Sequence, residues 1–431
     1  MKLLTSSLSK NLFNVLLLSA FNLLVLNLSE SIDVEQLYFD LEFIGIGSEL
    51  NLTSLYIFVS LCMWESLFKK YINILFFLFV TIFKGNSQKS FFSSDKDQLW
   101  LSMDLHIHSV FSDGNVWPTI RVEEARREGL DLIAITEHLE YQPHEEDIPN
   151  PDRNRSFFVA IESINKGEKL KVINGSEITR EMPPGHINAV FLEDANLLLH
   201  EDSLSGIKEA NKQNAFVFWN HPNWDQQRID GIARLDQFHE YLIKNKLLHG
   251  IEVVNESTFS EEALQIALEN NLTILGTSDI HGIIDWEHQI PNGGHRPMTL
   301  VNAENESEKS VKSALYEGKT VVWFKDLLIG KEENLKALIK SNLVFGPLKY
   351  IKEKLIVEVE LTNKSMNSFK IEYLGDYSFH QRSSVFSIPA NSKIILKIKT
   401  ITKKKEISLP FRILNSVIAP KKTLIYNFVI K

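Results

Sequence analysis

Cysteine is all but missing: Cys62 is the only one in 431 residues. No intramolecular disulfide can staple such a chain, and no thiolate cluster can hold a metal. Any metal must therefore sit on imidazoles and carboxylates. A basic surplus is missing too, with 46 Lys+Arg against 55 Asp+Glu and a net charge of −9. That excludes a whole-chain electrostatic footprint for nucleic acid, and no nucleic-acid partner is expected. Glycine (19) and proline (13) are too scarce for collagen or low-complexity disorder. Long apolar runs are also wanting, since none reaches the roughly 20 residues that span a bilayer comfortably. What is present is 44% apolar sequence, enough for two or three domains with proper cores.

Two shorter apolar stretches come first, residues 12–26 (LFNVLLLSAFNLLVL) and 71–83 (YINILFFLFVTIF). Both fit the core of an export signal. The second follows Met63 and the basic pair Lys69-Lys70 and leads into Gly85-Asn86-Ser87, the order basic, apolar, small. Met63 reads as a possible true start, with residues 1–62 as upstream sequence. Residues 1–95 are accordingly expected to be a signal peptide or membrane anchor. The protein would then be periplasmic, cell-surface or secreted, or associated with a membrane through this leader, with the cytoplasm as runner-up.

From residue 96 to about 330, short apolar runs alternate with amphipathic stretches: LSMDLHIH, DLIAIT, LKVINGSEI, INAVFL, AFVFW, GIEVVN, LTILGTSD and MTLVNA. These read as buried strands with helices between them, which implies a parallel α/β sheet. Seven or eight such units suit a closed or distorted (β/α) barrel, although a doubly wound sheet shows the same alternation. His106, His138, Glu177, His221 and Asp279 fall at or just past strand C-termini, which favours the barrel, where active sites are built at that end. Residues 345–431 alternate with period two and read as a small all-β sandwich. Residues 331–431 carry 19 Lys+Arg against 8 Asp+Glu, so the two halves have opposite charge. The basic face is expected to be a solvated edge that resists strand pairing, or to dock on the acidic barrel.

The barrel segment is dense in ligand-type residues: Asp104-Leu-His106-Ile-His108, Ser112-Asp113-Gly114, Thr136-Glu137-His138, Gly175-Ser176-Glu177, Gly185-His186, Asn220-His221-Pro222 and Ser278-Asp279-Ile280-His281. In an extended strand residues i and i+2 share a face, so His106 and His108 can grip one ion, and Asp279 and His281 likewise. A carboxylate such as Glu177 can bridge two ions. Burying so many ionisable groups without metal would be costly. Imidazole and carboxylate without thiolate suit zinc, manganese or iron. His144, His200, His239, His249 and His288 fall in polar or helical stretches and read as surface residues. Trp117, Trp219, Trp224 and Trp286 lie near the motif loops, and packing is the expected role for at least half of them.

The ordered set DLHIHSVFSDG, ITEH, GSEI, GH, NHP and SDIH resembles the PHP (polymerase and histidinol phosphatase) superfamily over about residues 101–325. The resemblance implies a distorted (β/α)7 barrel of PHP type, here followed by a small all-β sandwich domain. It also implies two or three divalent ions at the strand C-termini. Carried over residue by residue, His106, His108, Glu177 and Asp279 would hold the first ion. Glu177, His186 and His221 would hold the second, and Asp113, His138 and His281 the third.

The implied activity is hydrolysis of phosphate monoesters or diesters by a metal-bound hydroxide. Arg180, close after Glu177, is the expected partner of the phosphoryl oxygens, with Arg296 as second choice. Asp113 or His281 is expected to protonate the leaving group. Histidinol phosphate ranks below a generic phosphoester, because an apolar leader argues against a cytoplasmic biosynthetic role. A metal-dependent amidohydrolase and a non-catalytic surface-binding protein are the other readings. Glu177 in the bridging role argues against the first, and the intact ligand set against the second.

Overall fold

The computed structural model describes residues 90–94 and 99–431. Residues 1–89 of the expected leader, Met63 and Cys62 among them, lie outside the described residues, whereas residues 90–94, also assigned to it, are described and place Phe92 in the core. Among those described, no helix is long and apolar enough to cross a membrane.

Seven strands build the barrel: β1 (Leu99–Asp104), β2 (Leu132–Ile135), β3 (Lys171–Ile178), β4 (Ile187–Val190), β5 (Phe216–Trp219), β6 (Gly250–Asn255) and, after the short β7 (Thr258–Phe259), β8 (Thr273–Thr277). The sheet runs β1-β2-β3-β4-β5-β6, with β8 on the far side of β6. A parallel bridge between Ile107 and Ile280 closes the ring just beyond β1 and β8. Helices flank the strands, among them α1 (Pro118–Glu128), α2 (Arg155–Glu162), α3 (Ser203–Lys212), α4 (Gln237–Lys244) and α5 (Glu261–Glu269). Their ends obey ordinary capping. Pro118 opens α1 and left-handed Gly129 ends it, and the Ser260 hydroxyl accepts the Ala263 amide at the start of α5.

The sheet is not wholly parallel, as the alternation of strands and helices implied. β4 runs antiparallel to both β3 and β5. Only residues 179–186 join β3 to β4, too few for the crossover a parallel neighbour needs. The reversal has a chemical consequence. It puts the start of β4, and His186 before it, at the same mouth as the C-terminal ends of the other strands.

MTLVNA is also not a barrel stave. It forms β9 (Met298–Ala303), which pairs antiparallel with β1 and carries the sheet outward to β10 (Thr320–Phe324) and β11 (Leu327–Gly330). After α6 (Glu308–Tyr316), lying between β9 and β10, and α7 (Glu332–Asn342) comes the sandwich. One of its sheets holds β12 (Leu343–Phe345), β13 (Lys349–Tyr350), β14 (Ile356–Asn363), β16 (Ser378–Phe379) and β18 (Ser392–Lys399); the other holds β15 (Phe369–Tyr373), β17 (Val385–Ile388), β19 (Ile407–Ala419) and β20 (Lys422–Ile430). Alternate residues such as Val357, Val359 and Leu361 face Phe369, Phe411 and Ile413 in the core.

The sandwich is joined to the barrel by backbone. β19 pairs in parallel with β11, Leu328 opposite Ser416 and Ile329 opposite Val417, so one sheet runs through both domains. A single apolar cluster follows it, from Val122 and Ile133 through Trp323 and Leu335 to Phe411. Phe92 closes this joint, its ring edge-on to Trp323 with centroids 5.3 Å apart.

Candidate metal centre

The HIH and DIH tripeptides lie side by side. Ile107 bridges Ile280, and both isoleucines are fully buried in the core. By strand alternation the flanking residues, His106 and His108 on one side and Asp279 and His281 on the other, turn the opposite way, into the mouth. His138 and Glu177 form the next bridge round the ring. Gly114 is required by close approach. A Cβ there would lie 2.8 Å from backbone atoms of His108 and Ser109, because the loop carrying Asp113 folds back on the strand end. Gly185 takes a φ of 77° just before His186, a conformation that favours glycine.

All nine predicted ligand residues converge. His106 Nε2 and His108 Nε2 each lie 3.1 Å from Asp279 Oδ1 and 3.5 Å from an oxygen of Glu177. Glu177 Oε1 is 3.0 Å from His186 Nδ1 and 3.5 Å from His221 Nε2. Its Oε2 is 2.7 Å from His138 Nδ1. Asp113 spans His138 and His281, with both Nε2 atoms at 3.2 Å. Three groups have donor atoms close enough to share an ion: His106, His108 and Asp279; His138, Glu177 and His186; His108, Asp113, His138 and His281.

The donor set fits cations. His106 Nε2, His108 Nε2 and Asp279 Oδ1 face one another, buried and with no hydrogen-bond partner, a costly arrangement unless something fills the gap between them. Electrostatics agree. Burial pushes Glu177 up, but His138, His186 and His106 hold it well below the carboxylate range. Burial likewise raises Asp279, yet His106 and His108 hold it well below that range. Burial lowers the imidazoles, but Glu177 and Asp113 raise His138 to about 10, while Asp113 and Asp279 raise His281 to about 9. His108, beside those two cationic rings, is pushed down by burial and by them to about 3. Protons on His138 and His281 thus neutralise carboxylates that a cation would neutralise instead.

Buried residues to which the sequence reading gave no role hold this cluster in place. Glu252 Oε1 accepts from His106 Nδ1 at 2.8 Å and from the Thr277 hydroxyl at 2.6 Å, and its Oε2 accepts the His221 amide at 2.7 Å. Its only sequence signal is an acid inside the apolar run GIEVVN. Arg121, on α1, donates to the carbonyls of His108, Ile280, His281 and Gly282 and clasps the two ligand loops together. Glu137 accepts from the Ser109 amide and from the hydroxyls of Ser109 and Ser112, fixing the loop to Asp113.

Other expectations need correction. Arg180 is not brought into the cluster: it pairs with Glu140 at 2.9 Å and donates to the His200 carbonyl. Arg296 is fully buried between Asp104 and Glu128, where two carboxylates engage it. His239 is not a surface residue. Fully buried, it stacks on Trp219 and, through Nε2, donates to the Pro184 carbonyl in the loop leading to His186. His249 is half-buried, its Nδ1 accepting the Val217 amide. Of the four tryptophans, Trp224 lines the cavity and Trp219 packs in the core, while Trp117 leans on Phe111 and Trp286 is exposed.

A cavity of about 420 Å³ opens over Asp113, His138, His186, His221, Asp279 and His281. Imidazoles and carboxylates gathered at the mouth of a distorted barrel define a metal-dependent (β/α)7-barrel protein. Comparison with known proteins narrows this. Residues 104–280 match the PHP domain and residues 343–429 an Ig-like domain. A crystal structure from Bacteroides vulgatus, a two-domain protein containing a predicted PHP-like metal-dependent phosphoesterase, is 36% identical over 80% of this chain and 100% of its own, with a TM-score of 0.73. A candidate metal-dependent phosphoesterase from Bifidobacterium adolescentis is 18% identical over 42% of this chain and 87% of its own, with a TM-score of 0.33. No curated protein matches. The chain belongs to the PHP-like metal-dependent phosphoesterase family, in a two-domain form with an Ig-like C-terminal domain.

Proposed function

We propose that the protein hydrolyses phosphate monoesters or diesters with two or three divalent cations, of zinc, manganese or iron, seated on the nine converging side chains. The observation that carries this reading is the set of buried, partnerless ligand atoms turned toward one another at the barrel mouth. His106, His108, Glu177 and Asp279 would hold one ion, Glu177, His186 and His221 a second, and Asp113, His138 and His281 a third. Bound there, such ions supply Lewis acidity toward phosphoryl oxygens and acidify a water molecule.

The chain's own groups do the positioning. Glu177 turns Oε1 to His106, His186 and His221 and Oε2 to His108 and His138, and Glu252 fixes the His106 ring through Nδ1, leaving Nε2 for the ion. Among the described residues lining the cavity there is no Lys or Arg, so recognition of the phosphoryl group would fall to cations held by these side chains. Of the two groups expected to protonate the leaving alcohol, Asp113 is held ionised: burial raises its carboxyl, but His138 and His281 hold it well below the ordinary range. Where the third set is free of metal, His281, its Nε2 3.2 Å from Asp113 and its ring lining the cavity, would be the group placed to act as the acid.

We place this activity outside the cytoplasm on the strength of the leader-like residues 63–88. The test is the full chain purified without chelator. Two or three metals per chain, with release of p-nitrophenol from p-nitrophenyl phosphate or its bis ester that stops on chelation, is the expected result. A folded protein that retains no metal refutes the reading.

A further inference from the structure

We propose that the far tip of the Ig-like domain docks on an anionic lipid bilayer, its lysines reaching the phosphate headgroups and Ile401 entering the acyl boundary. This interaction is independent of the metal centre. Two connections build the tip: residues 350–356, the turn from β13 to β14, and residues 400–406, the loop from β18 to β19. Hydrogen bonds tie them together. The Thr400 amide donates to the Leu355 carbonyl at 2.8 Å, and the Tyr350 hydroxyl accepts the Lys404 amide at 2.7 Å. Residues 349–355 and 399–406 hold seven lysines, all exposed, and two acids, Glu353 and Glu406. Among these lysines stand Ile401, 91% exposed, and Leu355, 45% exposed.

On the face of the sheet, lysines are neutralised: Lys393 pairs with Glu360 at 2.9 Å and Lys397 with Glu358 at 3.5 Å. The tip is different. Glu353 meets Lys352 at 3.8 Å and Glu406 meets Lys431 at 3.6 Å, while Lys349, Lys354, Lys399, Lys403, Lys404 and Lys405 make no ion pair among the described residues. The tip also points away from the barrel. β19 begins there at Ile407 and meets β11 only at Ser416, about 30 Å further on at about 3.4 Å per residue. β14 begins there too and ends at Asn363, whose side-chain amide donates to the Asn367 carbonyl, while Asn367 accepts Trp323 of the joint. Docking on the acidic barrel is therefore out of reach for these lysines. Protection of a strand edge does not account for them either, because Lys352, Lys354, Lys403, Lys404 and Lys405 lie in turns beyond the strands. Six unneutralised ammonium groups select an anionic surface. Ile401 selects a bilayer over a soluble polyanion, since only a bilayer offers an aliphatic chain a place out of water, and long lysine stems keep their charges at headgroup level as it enters.

The test uses residues 88–431, one compact unit that holds the apolar cores described above and omits the leader, itself apolar. Vesicles of phosphatidylcholine alone are compared with vesicles containing a quarter phosphatidylglycerol, at about 0.1 M salt, where charges are screened beyond about 10 Å. Co-sedimentation is expected to show binding at least about tenfold tighter to the anionic vesicles. Replacing Lys403, Lys404 and Lys405 together by Gln should weaken that binding about tenfold or more, and Ile401→Ser about threefold or more. The sole cysteine, Cys62, lies outside this part, so Ile401→Cys takes a polarity-sensitive dye at one place, and its emission should shift to the blue on anionic vesicles. Circular dichroism and urea midpoints confirm that each variant is folded. Equal binding to both kinds of vesicle, or a triple variant that binds as the wild type does, overturns the proposal. So does anionic binding with Ile401→Ser unchanged and no blue shift, a result that would give the tip to a soluble polyanion such as polyphosphate.

Discussion

Replacing Glu252 by Gln is expected to loosen the metal centre while leaving the barrel folded. The carboxylate accepts four hydrogen bonds, two at Oε1 from His106 and Thr277 and two at Oε2 from the His221 amide and, at 2.9 Å, from Asn255. Glutamine is the same shape but keeps one acceptor, and its amide would face two donors however it is turned. If the oxygen faces His106, that bond becomes neutral and loses about half its strength. If the amide does, the ring is driven to the other tautomer and Nε2 is no longer free for the ion. Either outcome falls in the range of about 10- to 100-fold weaker metal binding seen when a partner of a ligand histidine is removed, or about 1.4–2.7 kcal/mol. Calorimetric titration of the stripped wild type and variant with Zn²⁺ or Mn²⁺ measures it, with circular dichroism to confirm folding. A folded variant whose affinity stays within threefold of wild type would refute the idea that Glu252 sets the His106 ring.

Three further outcomes follow from the geometry. Arg121→Met strips five donor contacts from four carbonyls and Glu124 in the core, and urea unfolding should show a loss of about 3–5 kcal/mol; a loss under about 1 kcal/mol would contradict the clasp. Gly114→Ala should lower metal content per chain, since its new Cβ meets backbone rather than a yielding side chain; unchanged content would mean the loop tolerates displacement. His249 must be neutral to accept the Val217 amide, and burial lowers its pKa to about 4. An unfolded histidine titrates near 6.5, so below that pH the unfolded chain binds a proton that the folded chain refuses down to about 4. Stability should fall over that window by up to ~1.4 kcal/mol per pH unit. The difference between wild type and His249→Gln in urea midpoints at pH 7 and 4.5 isolates this contribution, and an equal decline in both would count against it.

The ligands were legible because strand alternation makes i and i+2 neighbours, so HIH and DIH announce themselves in one dimension. Their supports were not. Glu252 meets His106 across 146 residues and Arg121 meets His281 across 160, separations that no local pattern encodes. The barrel was readable from its rhythm of strands and helices, but the reversal of β4 was hidden in the length of one connection. Arg180 misled for a related reason: nearness to Glu177 in sequence says nothing of direction, and Glu140 draws it away. Histidine in a helical stretch was equally deceptive, since His239 looks inward at Trp219.

The pairing of β11 with β19 bears on how such a protein could be assembled in evolution. A barrel cut after Gly330 would present a bare strand edge together with Trp323 and Leu328, which belong to the apolar strip shared with the sandwich. The Ig-like unit therefore seals the edge of the barrel fold rather than being a bead strung after it. Recombination that exchanged it for another module would have to supply a complementary edge strand in the same register. The two folds form one structural unit, and a swapped-in domain that only binds, without sealing, would leave the barrel open to aggregation.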